Sequence, residues 1–125
     1  MRAIAGVAAG LVVWIAVATV GNMALRAAMP DYTGAEPAMT FTLPMMFAQL
    51  LLGAASSIVA GAATAWIARG DRRAPWILGV VLIAVFIPVH VGVWDKFPLW
   101  YHATFLVSLL PLTLLGASLF ARNRR

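Results

Sequence analysis

The chain contains no cysteine among its 125 residues. That excludes disulfides, thiolate nucleophiles, iron–sulfur clusters and thiolate zinc sites. Charge is scarce as well: Asp, Glu, Lys and Arg make up 10% of the sequence, whereas a soluble domain carries about a quarter. The charges that exist are clustered, leaving the windows 3–25, 37–68, 74–94 and 97–121 without any. Each window exceeds the roughly 18–20 residues a helix needs to cross about 30 Å of hydrocarbon. No carboxylate falls inside them, since Asp31, Glu36, Asp71 and Asp95 all lie between them. A small multidrug exporter of this size trades protons for a cationic drug through an intramembrane acid, and that acid is missing here. Enzyme signatures are missing too, with no G-x-S-x-G, no H-E-x-x-H and no phosphate-cradling glycine loop, so no catalytic residues are expected.

What is present is apolar. Hydrophobic residues make up 63% of the chain and its mean hydropathy is +0.94. The expected fold is all-α, an integral membrane bundle of four transmembrane helices in one domain, 1–125. The helices are expected over about 4–28, 41–68, 75–94 and 98–121. The net charge of +5 does not imply nucleic acid, because its placement has another cause. Arg2, Arg69, Arg72, Arg73, Arg122, Arg124 and Arg125 fall on one side of an even-numbered bundle, and only Arg26 and Lys96 on the other. The positive-inside bias then puts both termini in the cytoplasm. The apolar run 3–25 is far longer than the roughly 7–15 residues of a cleavable signal, so it reads as the first helix. Usage rich in Ala, Gly, Val and Arg fits a bacterial inner membrane, with the lipid bilayer as the first partner.

Punctuation agrees with these spans. Pro30 disfavours helical geometry at Met29, Thr40 or Thr42 suits an N-cap with Pro44 in the first turn, and Gly70 suits a C-cap. Pro88 and Pro111 each remove a backbone donor, predicting a kink in the third helix and a break in the ladder of the fourth. Small residues mark a packing face. Gly53, Ser57, Gly61 and Ala65 recur every four residues in the second helix, and Gly6 and Gly10 lie at the depth of Gly61 and Ala65 on the antiparallel first helix. Close approach over small residues supplies packing in lipid, so the first and second helices are expected to meet there.

The polar residues of the spans gather toward the outer face. Asn22, Arg26, Gln49, His90, Tyr101 and His102 are there, with Asp95 just above. Polar groups at membrane depth are costly unless paired, which raises two alternatives: an outer pocket shared by the four helices, or an interfacial belt with Trp94 and Trp100. His90 and His102 stand at similar depth on adjacent helices, as a haem b with two axial imidazoles needs. They could also join Asp95 at a metal. Neither motif is specific, and the expected cofactor is none.

The second half resembles a set of uncharacterised small four-helix bacterial inner-membrane proteins, through W-I-L-G-V-V-L-I-A (76–84), F-P-L-W-Y (97–101) and L-P-L-T-L-L-G-A (110–117) ahead of an arginine-rich end. The resemblance implies the same topology and carries no activity or site. The leading expectation is a small accessory or structural membrane protein, a subunit of a larger assembly or self-associating. The alternatives are a transporter or sensor component whose outer pocket takes a small molecule or lipid, and a bis-histidine haem or quinone redox module.

Overall fold

Four apolar stretches become four long helices because each satisfies its own backbone hydrogen bonds, as segments surrounded by lipid must. In the computed structural model, which describes residues 1–123, α1 spans Arg2–Ala28, a single turn α2 spans Tyr32–Ala35, α3 spans Leu43–Ala68, α4 spans Arg73–Gly92 and α5 spans Leu99–Asn123. There is no strand among the described residues. Arg124 and Arg125 lie outside the described residues. Each of α1, α3, α4 and α5 is long and apolar enough to cross a membrane.

The boundaries follow local chemistry. Met29, before Pro30, is extended at φ −116°, ψ 99°, the geometry proline imposes on its predecessor. Thr42 is extended at the start of α3, with Pro44 in the first turn. At the other end of α3 the left-handed residue is Arg69, at φ 50°, followed by Gly70 at φ 87°, so the chain turns one residue before the glycine expected to cap it. The third long helix begins at Arg73 rather than Pro75, because the Asp71 carboxylate accepts the Arg73 backbone N–H at 3.0 Å. It ends at Gly92, not Trp94, since Trp94–Lys96 tightens into a turn of 3-10 helix. Pro88 and Pro111 both lie inside continuous helices.

Around the bundle the order is α1, α3, α5, α4, with neighbours antiparallel except α3 with α5 and α1 with α4. The arginine-rich end is held together through small residues. Gly6 sits against Thr64 and Ala68, and Gly10 against Ala60 and Thr64. The Thr64 hydroxyl donates to the Gly6 carbonyl at 2.9 Å. The face of α3 turned to α1 is therefore Ala60, Thr64 and Ala68 rather than Gly61 and Ala65. Gly61 lies on the Thr113 backbone of α5, Gly116 of α5 on the Ile58 backbone, and Gly53 under the Phe105 ring. Ser57 accepts the Trp14 indole N–H of α1 at 3.0 Å, and Ala65 is half-buried. The ridge thus runs along the seam where α3 is wedged between α1 and α5, so its members serve two neighbours. Trp14, Leu78, Leu82, Phe105 and Leu109 fill the centre. Large apolar side chains point outward from every long helix, including Leu51 (71% exposed) and Val107 (72% exposed), as a lipid surround requires.

Candidate functional site

The polar residues concentrate at the end opposite the arginines, and α2 is what organises them. This turn folds back over the mouth of the bundle, burying Tyr32 to 2% exposure beside Ala35 and Met45. A buried phenol needs a hydrogen-bond partner, and Tyr32 has two. Its hydroxyl donates to Asn22 Oδ1 at 3.1 Å and accepts from Gln49 Nε2 at 2.9 Å. Gln49 Oε1 in turn accepts from the Tyr101 hydroxyl at 3.1 Å. The result is one directional chain, Tyr101 to Gln49 to Tyr32 to Asn22, which ties α5, α3, α2 and α1 together, each link running from a donor to an acceptor. Burial pushes the Tyr32 phenol above its ordinary range, with the Gln49 hydrogen bond opposing. A bidentate ion pair straps α2 down from outside: Arg26 Nε to Glu36 Oε1 at 2.7 Å and Nη2 to Oε2 at 2.9 Å. The hydrogen bonds and charge of that guanidinium hold the Glu36 carboxyl below the usual carboxylate range, against a smaller opposing effect of desolvation.

The histidines form the second polar unit. His90 Nδ1 and His102 Nδ1 are 2.6 Å apart, and His102 Nε2 lies 3.2 Å from the Trp94 carbonyl. Trp94 stacks on the His102 ring with centroids 4.5 Å apart and planes 6° from parallel. His90 packs against the rings of Phe105 and Tyr101. With bonds of roughly 2.0 Å, two imidazole nitrogens on one metal stand about 3.3 Å apart in a tetrahedral site and about 4 Å apart when they face each other across it, as on a haem. At 2.6 Å the pair bonds directly to itself, and His102 has its other nitrogen on a backbone carbonyl. The two rings therefore do not fit the axial positions of a haem. Asp95 is exposed on the 3-10 turn, and no group of three His, Asp or Glu residues converges on a metal site among the described residues.

Between the two units lies a cavity of about 350 Å³, at the low end of the range for small-molecule pockets. Its walls include Trp14, Phe86, Phe97, Tyr101 and Phe105, and its polar lining comes from Asn22, Tyr32, Glu36, Gln49 and His90. Of the residues expected at an outer pocket, Asn22, Gln49, His90 and Tyr101 line this cavity. Arg26 acts from outside through Glu36, His102 stands behind His90, and Asp95 is exposed and does not line the cavity. Among the wall residues that the sequence does not point to, Tyr32 and Trp14 matter most. Tyr32 lay in a stretch that reads as a polar loop, although Phe41 nearby hinted at an apolar underside. Trp14 stood mid-helix, far from any interfacial belt, and an indole N–H at that depth calls for a partner such as Ser57. No protein-family model matches this chain, and no curated protein or solved structure matches it either.

Proposed function

We propose that this chain is a multi-pass protein of a bacterial inner membrane, both termini cytoplasmic, that holds a small lipophilic molecule in the cavity beneath α2 and works as a sensing or transport component. The observation that carries this reading is the cavity itself: a space walled by aromatic rings, bordered by a satisfied polar chain and a histidine pair, at the mouth of the bundle. An interfacial belt needs its aromatic and polar residues at one depth only. It does not need Asn22, Gln49, Tyr32 and Tyr101 linked across four helices around a space. The accessory-subunit reading has less to support it, because the outward apolar side chains are what lipid contact alone demands. The arginine-rich end, with Trp66 exposed beside Arg2 and Arg69, is the end the positive-inside rule assigns to the cytoplasm.

Two measurements test the proposal. Because the chain has no cysteine of its own, single variants Ala38→Cys and Arg72→Cys can be labelled in intact cells with an impermeant maleimide. Labelling of Ala38→Cys alone is expected, and the reverse pattern overturns the orientation. For the ligand, mass spectrometry of protein purified in mild detergent should find a retained small lipophile. Ala18→Phe, which fills the cavity from α1, should lose it while keeping the helical circular dichroism. Wild type and variant carrying the same small molecules would remove the cavity from the function.

A further inference from the structure

We infer that the cavity takes a flat aromatic molecule bearing a hydroxyl group, of the phenol or hydroquinone class, whose O–H donates to Nε2 of His90. The inference deepens the proposed ligand site and rests on it. The Trp94 carbonyl can only accept, so the His102 nitrogen facing it, Nε2, carries hydrogen. A neutral imidazole has a single N–H, so His102 presents a lone pair at Nδ1. The 2.6 Å contact then requires hydrogen on His90 Nδ1, which leaves the lone pair of His90 on Nε2. Each assignment forces the next, starting from one backbone carbonyl.

His90 is only 5% exposed and is a wall residue of the cavity. Its Nε2 has no protein partner among the described residues, yet no unpaired side-chain nitrogen or oxygen is sealed from solvent. The cavity wall therefore includes a strong nitrogen acceptor that no described protein group fills. A carbonyl, ether or carboxylate oxygen brings a lone pair to a lone pair there, while a hydroxyl brings the missing donor. The rest of the wall selects shape: the rings of Trp14, Phe86, Phe97 and Phe105 favour a planar aromatic body by stacking and edge contacts. Gln49, also in the wall, has at Nε2 a second N–H beyond the one given to Tyr32, a donor for a second oxygen on the ligand.

Equilibrium dialysis of the purified protein in detergent, with protein-free micelles of the same detergent as the blank, tests this with two probes. The first is 2-naphthol and the second 2-methoxynaphthalene, which keeps the ring and the oxygen but has no donor. Wild type should bind 2-naphthol about tenfold more tightly, the usual effect of one hydrogen bond to a buried acceptor. His90→Phe should bind both probes alike. The wild-type comparison stands even if that variant does not fold. Equal affinity of wild type for the two probes keeps the cavity as a ligand site and overturns the hydroxyl assignment. Binding of neither probe by wild type overturns the assignment and the ligand-site reading together. Ala18→Phe should abolish binding of both, and unchanged binding there moves the site elsewhere and overturns the assignment as well.

Discussion

At the arginine-rich end the helices touch through backbone and methyl groups, whereas at the α2 end they stand apart around rings and bonded polar side chains. The same lipid surroundings account for both. Apolar side chains gain little by leaving lipid for a helix interface, so association depends on close packing or on hydrogen bonds. The first end uses closeness: Gly61 on the Thr113 backbone, Gly116 on Ile58, and Gly6 and Gly10 on Thr64. Its hydroxyls mostly serve the backbone of their own helix, as Thr113 does at Leu109 and Ser56 at Leu52. The second end uses side chain to side chain bonds among Asn22, Tyr32, Gln49 and Tyr101. A gap large enough for a ligand follows from that choice, because rings hold helices apart where glycine lets them meet.

The sharpest way to break this contrast is to thicken the close end. Gly61→Leu puts a side chain where the Thr113 carbonyl and Cα already lie, and backbone on a packed helix cannot step aside cheaply. The expected loss is about 3 kcal/mol or more, seen as a large fall in the thermal midpoint in detergent. Gly34→Ala is the control, since a methyl group there meets nothing within 4 Å. It should change stability by less than about 0.5 kcal/mol. Similar losses in the two variants would mean that glycine at the seam is not what brings α3 and α5 together.

Next in size is the hub of the open end. Tyr32→Phe removes one hydroxyl and strands two partners, the Gln49 amide and the Asn22 carbonyl oxygen. The expected cost is about 1–3 kcal/mol. Pairing it with Gln49→Leu should give much less than the sum of the two single losses, because residues of one network do not act independently. Strict additivity in that cycle would reduce the polar chain to separate contacts. Thr64→Val makes the matching test at the close end. It keeps the volume and removes only the bond to the Gly6 carbonyl, and an interhelical bond of this kind in a membrane protein is worth roughly 0.6 kcal/mol. A loss as large as that of Tyr32→Phe would erase the distinction between the two ends.

The two ends also differ in how far they could be read from the residues. Span positions follow from where charge is absent, and Pro30, Pro44 and Pro98 mark starts and stops by removing donors or fixing φ. The polar residues of the open end were conspicuous because Asn22 and Gln49 are expensive in lipid without partners. Their common partner was not, because α2 is a four-residue turn with too little length for a periodic pattern, and Tyr32 in it looks like an interfacial tyrosine. The small residues of α3 were conspicuous as a ridge, but a ridge does not say which neighbour it faces. Ser57 turning to Trp14 while Gly53 and Gly61 meet α5 depends on where the fourth long helix sits. His90 and His102 could be placed at one depth from their distances to the helix ends. Their direct contact depends instead on rotation about each helix axis, and the Trp94 carbonyl that fixes their hydrogens belongs to a 3-10 turn that reads as the end of a helix.

The smallest expected effect concerns the strap that keeps α2 in place, and its sign is set by pH. In the fold, the hydrogen bonds and charge of Arg26 lower the Glu36 pKa below its ordinary value, which is about 4.3. A carboxylate with a depressed folded pKa adds stability that is complete above the unfolded value and disappears as pH falls through the folded one. Glu36→Gln should therefore loosen α2 near neutrality. Well below the carboxylate range it should make no difference, because wild-type Glu36 is then protonated as well. Both side chains of the pair remain partly exposed, at 48% and 28%, so salt should shrink the neutral-pH difference. Amide hydrogen exchange of Tyr32 and Ala35 reads the effect locally, and faster exchange in the variant at neutral pH is the expected result. A difference that persisted unchanged into acid would mean that Glu36 holds α2 by packing rather than by charge. The two ends would then share one principle of assembly after all.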